Sequence, residues 1–268
     1  MRVLLLGDTH ANTGSALAAI DHAAALRADI ILQLGDFGYW PNDRQGYSFL
    51  RKVEKRLVLR GLNLWWVDGN HENFDQLKRL PLQPDRTQWL RDAMGQFSPV
   101  MRHLPRGYRW TWENSTWVAV GGATSVDRQY RTPMVDWFPA EELTDEQAGA
   151  IIADGPADVV AAHDTIWNPT SWLGLRMDQT LPPWRRPPEW PVSALVASDT
   201  HQRRLRRVVE GVGAQRVFHG HHHIRCSSVL EAPHGPVSIE GLGMDSDPLS
   251  ERCLLVDGDG LPILGADE

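Results

Sequence analysis

What this 268-residue sequence holds little of narrows it first. Two cysteines, Cys226 and Cys253, do not make a disulfide framework, which excludes a small stapled secreted scaffold. No apolar run approaches the ~18 residues of a membrane span. After Met1-Arg2 the first apolar run, Val3 to Leu6, ends at Gly7-Asp8 with no small-residue cleavage site behind it. We therefore expect no signal peptide, no membrane partner and a cytoplasmic location. Lysine is scarce: only Lys52, Lys55 and Lys78 occur among 27 basic residues. Against 34 acidic residues the formal charge is −7, which argues against a protein built to coat duplex nucleic acid. That charge still admits a small nucleotide or a strand end. An apolar content of 42% and a charged content of 23% exclude disordered and collagen-like chains.

What is present alternates. Val3–Leu6, Ile30–Leu34 and Leu62–Val67 are short apolar runs that read as buried strands. Between them, Ser15 to Arg27 is Ala-rich at helical spacing, and Gly46 to Arg60 carries Phe49, Leu50, Val53 and Leu57 on one face. Strand and helix in alternation predict a parallel sheet flanked by helices. Further on, Arg109–Glu113 and Thr116–Val120 predict a hairpin, Ala140–Ala153 a helix, Asp158–Ala162 a strand and Val192–Glu210 a helix. Short strands near 216–219, 224–230, 237–239 and 253–256 suggest a second, more antiparallel sheet. No linker separates two units, so a single domain over 1–268 is expected. It carries a Pro- and Trp-rich insertion at about 166–191, which would suit a lid.

Each strand ends in a polar cluster, and ligands of open α/β sheets bind beyond the carboxyl ends of strands. The metal-capable residues at those ends are Asp8, His10, Asp36, Asn70, His71, His163, His221 and His223. Carboxylate, imidazole and amide oxygen suit first-row divalent ions, and the lack of cysteine among them disfavours a structural zinc site. So many ligands exceed one ion and fit two that share a carboxylate. Two adjacent metals serve phosphoester hydrolysis, because they activate water and clamp phosphoryl oxygens.

Five blocks now stand in order: Asp8-Thr9-His10, Gly35-Asp36, Gly69-Asn70-His71-Glu72, His163 and Gly220-His221-His222-His223. Together they resemble the calcineurin-like metallophosphoesterase family over residues 3 to about 256. The resemblance implies a four-layer αββα sandwich, an α/β fold of two mixed sheets with helices outside. It implies that Asp8, His10 and His223 hold one metal and Asn70, His163 and His221 a second, with Asp36 bridging. A hydroxide between the metals would be the nucleophile, and His71 the leaving-group acid or transition-state stabiliser. Mn²⁺ is the expected cofactor, with Fe, Zn, Ni and Co also compatible with such ligands.

One segment departs from the family's protein phosphatases. They carry Asp and then Arg where this sequence has Tyr39 and Trp40, so His71 lacks its usual orienting Asp. Two aromatics there would suit a nucleobase. Phosphate-binding arginines would come from elsewhere, Arg128 and Arg131 after Gly121-Gly122. That segment is similar to one in a bacterial and phage branch of the family, some of whose members hydrolyse 2',3'-cyclic nucleotides. The expected function is therefore a dinuclear phosphodiesterase on small or cyclic nucleotides. The alternatives are a nuclease on single-stranded nucleic acid using the basic run Arg203–Arg207, a broad phosphomonoesterase, and a non-catalytic scaffold. Asp199-Thr200-His201 repeats the first block inside a helical stretch and reads as a decoy. Strand alternation over 219–223 would turn His222 away from His219, His221 and His223.

Overall fold

The computed structural model describes residues 1–91, 97–166 and 190–263. Its first strand, β1 (Arg2–Leu6), shows why the apolar runs are continuous. Side chains alternate along a strand, and here Leu4 and Leu6 enter one core while Val3 and Leu5 enter another. A strand buried on both faces needs apolar residues at every position. Strands β2 (Ile30–Gln33) and β3 (Asn63–Trp66) follow parallel to it. The crossovers are helices α1 (Thr13–Ala25) and α2 (Arg44–Arg60). The side chain of Asn12 caps α1 and that of Asp43 caps α2, which stops at Gly61 in the left-handed region, φ 66°.

The first sheet is completed by β4 (Gln88–Arg91), β5 (Phe97–His103) and β12 (Cys253–Asp257), in the order β12-β1-β2-β3-β5-β4. Its two edge strands run antiparallel to their neighbours. The second sheet holds β6 (Arg109–Trp112), β7 (Ser115–Val120), β8 (Val159–Ala162), β9 (Arg216–His219), β10 (Cys226–Ala232) and β11 (Gly235–Gly241). Its order is β10-β11-β9-β8-β7-β6, again with antiparallel edges on a parallel centre. Among the described residues four α-helices follow α2: α3 (Phe74–Leu77), α4 (Asp145–Ala153), α5 (Val192–Val212) and α6 (Leu249–Arg252).

Three apolar layers hold these pieces. Ile20, Phe49, Val53 and Leu57 of α1 and α2 pack on the outer face of the first sheet. Trp110, Trp112 and Trp117 fill the space between the sheets with Leu5, Leu32 and Val67. Ile151 of α4 and Leu205, Val208 and Val209 of α5 cover the second sheet through Val118, Val120 and Val160. The result is helices, sheet, sheet, helices, the αββα sandwich that was expected. No helix among the described residues is long and apolar enough to cross a membrane.

Three expectations are corrected. The second sheet is mixed with a parallel centre, and the last strand, β12, leaves it to pair with β1. The helix expected from Ala140 begins only after Thr144. There the Thr144 hydroxyl accepts from the Gln147 amide while Gln147 Oε1 accepts from the Thr144 amide, a capping box that sets the start. Strand β9 ends at His219, so the alternation assumed for 219–223 does not apply and His221 and His223 sit in a loop. The central part of the Pro/Trp-rich insertion, 167–189, lies outside the described residues, as does the lid reading that rests on it.

Candidate metal centre

Strands β1, β2, β3, β8 and β9 run out at the same end of the two sheets, each into a polar loop. Amide groups of Thr9 and His10 donate to the Asp36 carbonyl, 3.1 and 2.9 Å, and knit the first two loops together. His10, Ala11, Asp36, His221 and His223 all adopt left-handed backbone, φ 43–61°. For residues other than glycine that conformation costs about 1–3 kcal/mol each, and such strain collects at functional sites. The glycines of the blocks have a different reason. A Cβ at Gly69 would run into the Asp36 carboxyl group, and one at Gly220 into that of Asp8. The two carboxylates lie directly against backbone that only glycine can supply.

The structure brings all seven expected ligands together. His10 Nε2 lies 3.4 Å from Asp36 Oδ2 and 3.8 Å from Asp8 Oδ2, and His223 Nε2 lies 3.0 Å from Asp8 Oδ2. On the other side His163 Nε2 is 3.4 Å from Asp36 Oδ1 and 3.1 Å from Asn70 Oδ1. The ring of His221 is 5.0 Å from that of His163, and His221 joins Asp36 and His163 in one converging group. Asp8, His10 and His223 form a second group, and His10, Asp36 and His71 a third. Asp36 therefore turns one oxygen to each side.

The donor and acceptor pattern asks for cations. His163 Nδ1 donates to the Leu34 carbonyl, 2.7 Å, so its Nε2 presents a lone pair. Asn70 Nδ2 donates to Ser125 Oγ, 3.0 Å, so its Oδ1 is the atom that faces His163. Lone pairs of His163, Asn70 and Asp36 thus point at one another, which is repulsive until a proton or a metal ion lies among them. Asp36 Oδ2 is buried with no hydrogen-bond partner. Burial opposes charge on His163 and His10, yet the surrounding carboxylates push His163 up to about 10 and His10 up to about 11. Burial likewise opposes ionisation of Asp36, but His163, His71 and His10 hold its carboxyl well below the usual range. Buried carboxylates that hold protons on nearby imidazoles fit a pair of divalent ions.

His71 sits beside Asp36, its amide donating to Oδ1 at 2.8 Å and its Nε2 3.9 Å from Oδ2. Where the missing Asp would accept an N–H, His71 instead faces Arg131, which can only donate. Its Nη1 is 2.8 Å from His71 Nδ1 and its Nη2 3.0 Å from Nε2, while Asp127 Oδ2 accepts from the same guanidinium at 2.9 and 2.7 Å. Burial, then Arg131 and His10, lower the pKa of His71. Three residues expected to contact substrate are engaged with the protein itself. Tyr39 offers no face to a base, being 2% exposed and packed near Trp66 at 6.0 Å between rings. Trp40 is half-buried against Phe138 and spends its indole N–H on the His71 carbonyl, 2.7 Å. Arg128 pairs with Glu142 at 3.2 Å.

Several residues around the centre escaped sequence reasoning. Asp245 accepts from His10 Nδ1 at 3.1 Å and from Asn12 at 2.7 Å, leaving His10 Nε2 for a metal. Ser125 passes the Asn70 contact to Glu141, whose carboxylate accepts from both the Ser125 hydroxyl and its amide at 2.7 Å. Burial pushes Glu141 up to about 7. Glu72 accepts amides of Phe37 and Tyr39, each at 2.7 Å, and of Gly38 at 3.2 Å, which fixes the loop that carries Asp36. Asp164 lies between His201 Nδ1, 2.9 Å, and His222 Nε2, 3.3 Å, and makes a buried group with His221 and His222. His201, read as a decoy, is thus a buried partner of the residue that follows His163. The run Arg203–Arg207 is fully engaged: its arginines pair with Asp199, Asp145, Glu142 and Glu210.

Comparison with known proteins agrees with this geometry. Residues 1–225 match the family model for calcineurin-like phosphoesterases, and the chain belongs to that family. No curated protein matches it. Among solved structures, TT1561 of Thermus thermophilus aligns at a TM-score of 0.53 and 10% identity, over 96% of this chain and 98% of the other. A dimetal phosphatase from Danio rerio aligns at 0.54 and 12%, over 95% and 91%. These distant likenesses concern the fold.

Proposed function

We propose that this protein is a dinuclear metal-dependent phosphodiesterase acting on nucleotide diesters, 2',3'-cyclic nucleotides among them. The observation that carries the dinuclear reading is Asp36, which sits 3.4 Å from His163 through Oδ1 and 3.4 Å from His10 through Oδ2. Asp8, His10 and His223 would hold one ion, and Asn70, His163 and His221 the other. When bound, such ions supply a water nucleophile near neutral pH and neutralise phosphoryl charge. Mn²⁺ is the ion we assign, on the mixture of carboxylate, amide and imidazole donors.

The chain's own groups do the rest. Asp245 and the Leu34 carbonyl keep His10 and His163 in the tautomers whose Nε2 faces inward. The lowered pKa of His71 favours a neutral imidazole beside Asp36, over an acid that gives up a proton. Arg131, held by Asp127, adds a positive charge beside it. A diester fits this environment because its phosphoryl group carries less negative charge than a monoester's, so a single guanidinium beside the ions suits it. The absence of the protein-phosphatase Asp and Arg at Tyr39 and Trp40 points the same way.

The test is turnover by the Mn²⁺-loaded protein of bis-p-nitrophenyl phosphate, p-nitrophenyl phosphate and 2',3'-cyclic AMP. We expect diester turnover to exceed monoester turnover and to disappear in Asp36→Asn. A preference for the monoester would replace the diesterase reading by a phosphatase. Metal content of two equivalents without turnover of any substrate would favour a scaffold.

A further inference from the structure

The outward face of α2 carries two adjoining cavities of about 480 and 440 Å³. They share Arg44, Ser48 and Lys52. Ala11 and Thr13 wall the first, and Tyr47, Arg51 and Lys55 wall the second. Steps of three and four residues place Arg44, Ser48, Arg51 and Lys55 on one face of the helix, opposite the buried Phe49, Val53 and Leu57. Two of the three lysines of the whole chain lie here.

The four cations are exposed, and among the described residues no carboxylate pairs with any of them. Their neighbours show that this is a local choice. Arg56 and Arg60 of the same helix both pair with Asp21, and the arginines of α5 are all paired. Asp43, next to Arg44, spends its carboxylate on the amides of Gln45 and Gly46. Like charges one turn apart repel each other, so in a chain of net charge −7 this uncompensated row calls for an anionic occupant.

The groove begins beside the loops that carry His10 and Asp36. Ala11 in its wall directly follows His10, and its backbone packs against Gly38, two residues after Asp36. From Arg44 to Lys55 the helix rises ~16 Å, the length of about five stacked nucleotides at ~3.4 Å each. A row of cations of that length matches a repeated negative charge, and a mononucleotide would fill only its first part. The ring of Tyr47 lies among the cations, with Arg51 5.8 Å from its centroid. Cations that track a backbone beside an aromatic ring that stacks a base are the combination by which proteins hold single strands.

We propose that this groove binds single-stranded nucleic acid, whose scissile phosphodiester lies in the metal centre and whose flanking phosphates lie on Arg44, Arg51, Lys52 and Lys55. The proposal rests on the phosphodiesterase reading above and narrows its substrate to a strand.

Binding is read apart from turnover. A labelled phosphorothioate single strand of about ten nucleotides, which resists hydrolysis, is titrated onto the Mn²⁺-loaded full chain by fluorescence anisotropy over a salt series. The fourfold variant Arg44→Gln/Arg51→Gln/Lys52→Gln/Lys55→Gln should bind at least about tenfold more weakly. Its slope of log affinity against log salt should be shallower by about 3, at ~0.7 for each phosphate contact on a single strand. Arg203→Gln/Arg207→Gln should bind as the parent does. Single variants Lys52→Gln and Lys55→Gln guard against misfolding and should each lower the slope by ~0.7. An unchanged slope across the series would overturn the proposal, as would equal loss in the α5 variant. Displacement by inorganic polyphosphate as effective as by unlabelled strand would replace nucleic acid with polyanions at large. Strand binding without hydrolysis of any diester would sink the phosphodiesterase reading alone. Hydrolysis of small diesters without strand binding would sink the groove alone.

Discussion

Asp245 stands 235 residues after His10 in the chain, yet it decides which imidazole nitrogen of His10 is free. Because a carboxylate only accepts, the proton must lie on Nδ1, and Nε2 is left toward Asp8 and Asp36. Asn12 holds the second oxygen of Asp245 at 2.7 Å and prevents rotation. Removing such a partner costs about 10–100-fold in metal affinity. We expect that loss for Asp245→Ala at one of the two sites, with Asp245→Asn milder because its amide oxygen still accepts. Manganese titration followed by isothermal calorimetry checks it; two undisturbed sites in Asp245→Ala would show that Asp245 is not a positioning residue. The same residue marks a limit of sequence reading. The ligands were legible because each lies just beyond an apolar strand, and in every block but that of His163 a glycine stands between. Asp245 lies in a polar loop without periodicity, and nothing local connects it to His10. Ser125 and Glu141 were hidden for the same reason, since Ser125 meets Asn70, and through it Glu141 is linked to the centre, only after β3 and β7 have been laid in different sheets.

At the scale of elements, the strand-to-loop junctions carry the design. Gly69 and Gly220 lie where backbone touches the carboxylates of Asp36 and Asp8, whereas Gly61 ends α2 in open space with φ 66°. The three should respond differently to alanine. Gly61→Ala should cost about 1–2 kcal/mol of stability, the left-handed penalty of a side chain, and leave metal content at the parental value. Gly69→Ala and Gly220→Ala should retain the circular dichroism of the fold while losing at least one equivalent of metal, because the added methyl displaces a ligand carboxylate. Metal analysis after gel filtration, beside thermal melts, separates the two kinds of glycine; full metal content in Gly69→Ala would contradict the crowding argument. The strands and long helices were readable from apolar runs and spacing. The errors fell where pairing is decided at a distance. No local feature of Cys253–Asp257 reveals that it joins β1 rather than β11, and β4 and β5 went unrecognised because Gln88–Arg91 and Phe97–His103 mix charged and apolar residues. The start of α4 was legible in Thr144-x-x-Gln147, and the good helix formers Ala140-Glu141-Glu142-Leu143 before it obscured it.

For the whole molecule, the centre couples folding to cations. Without metal, protons on His10 and His163 must balance Asp8 and Asp36. Their folded-state pKa values of about 11 and about 10 lie above the ordinary imidazole value of 6.5. A raised pKa means that the folded form binds these protons more tightly than the unfolded form does. That stabilisation is fully present below pH ~6.5 and is lost as pH rises toward 10. Metal ions replace the protons and face less competition as the pH rises, so the loaded protein should not share this decline. The gap in melting temperature between Mn²⁺-loaded and chelator-treated protein should therefore widen from pH 6 through 7.5 to 9. At a free metal concentration about 100 times its Kd, each site contributes roughly 2.7 kcal/mol. In Asp36→Asn the gap should shrink at every pH, because both groups of ligands lose the oxygen they share. A gap that stayed constant or narrowed with rising pH would mean that His10 and His163 are neutral in the metal-free protein. The converging lone pairs of His163, Asn70 and Asp36 would then have to be relieved by movement of the loops rather than by protons.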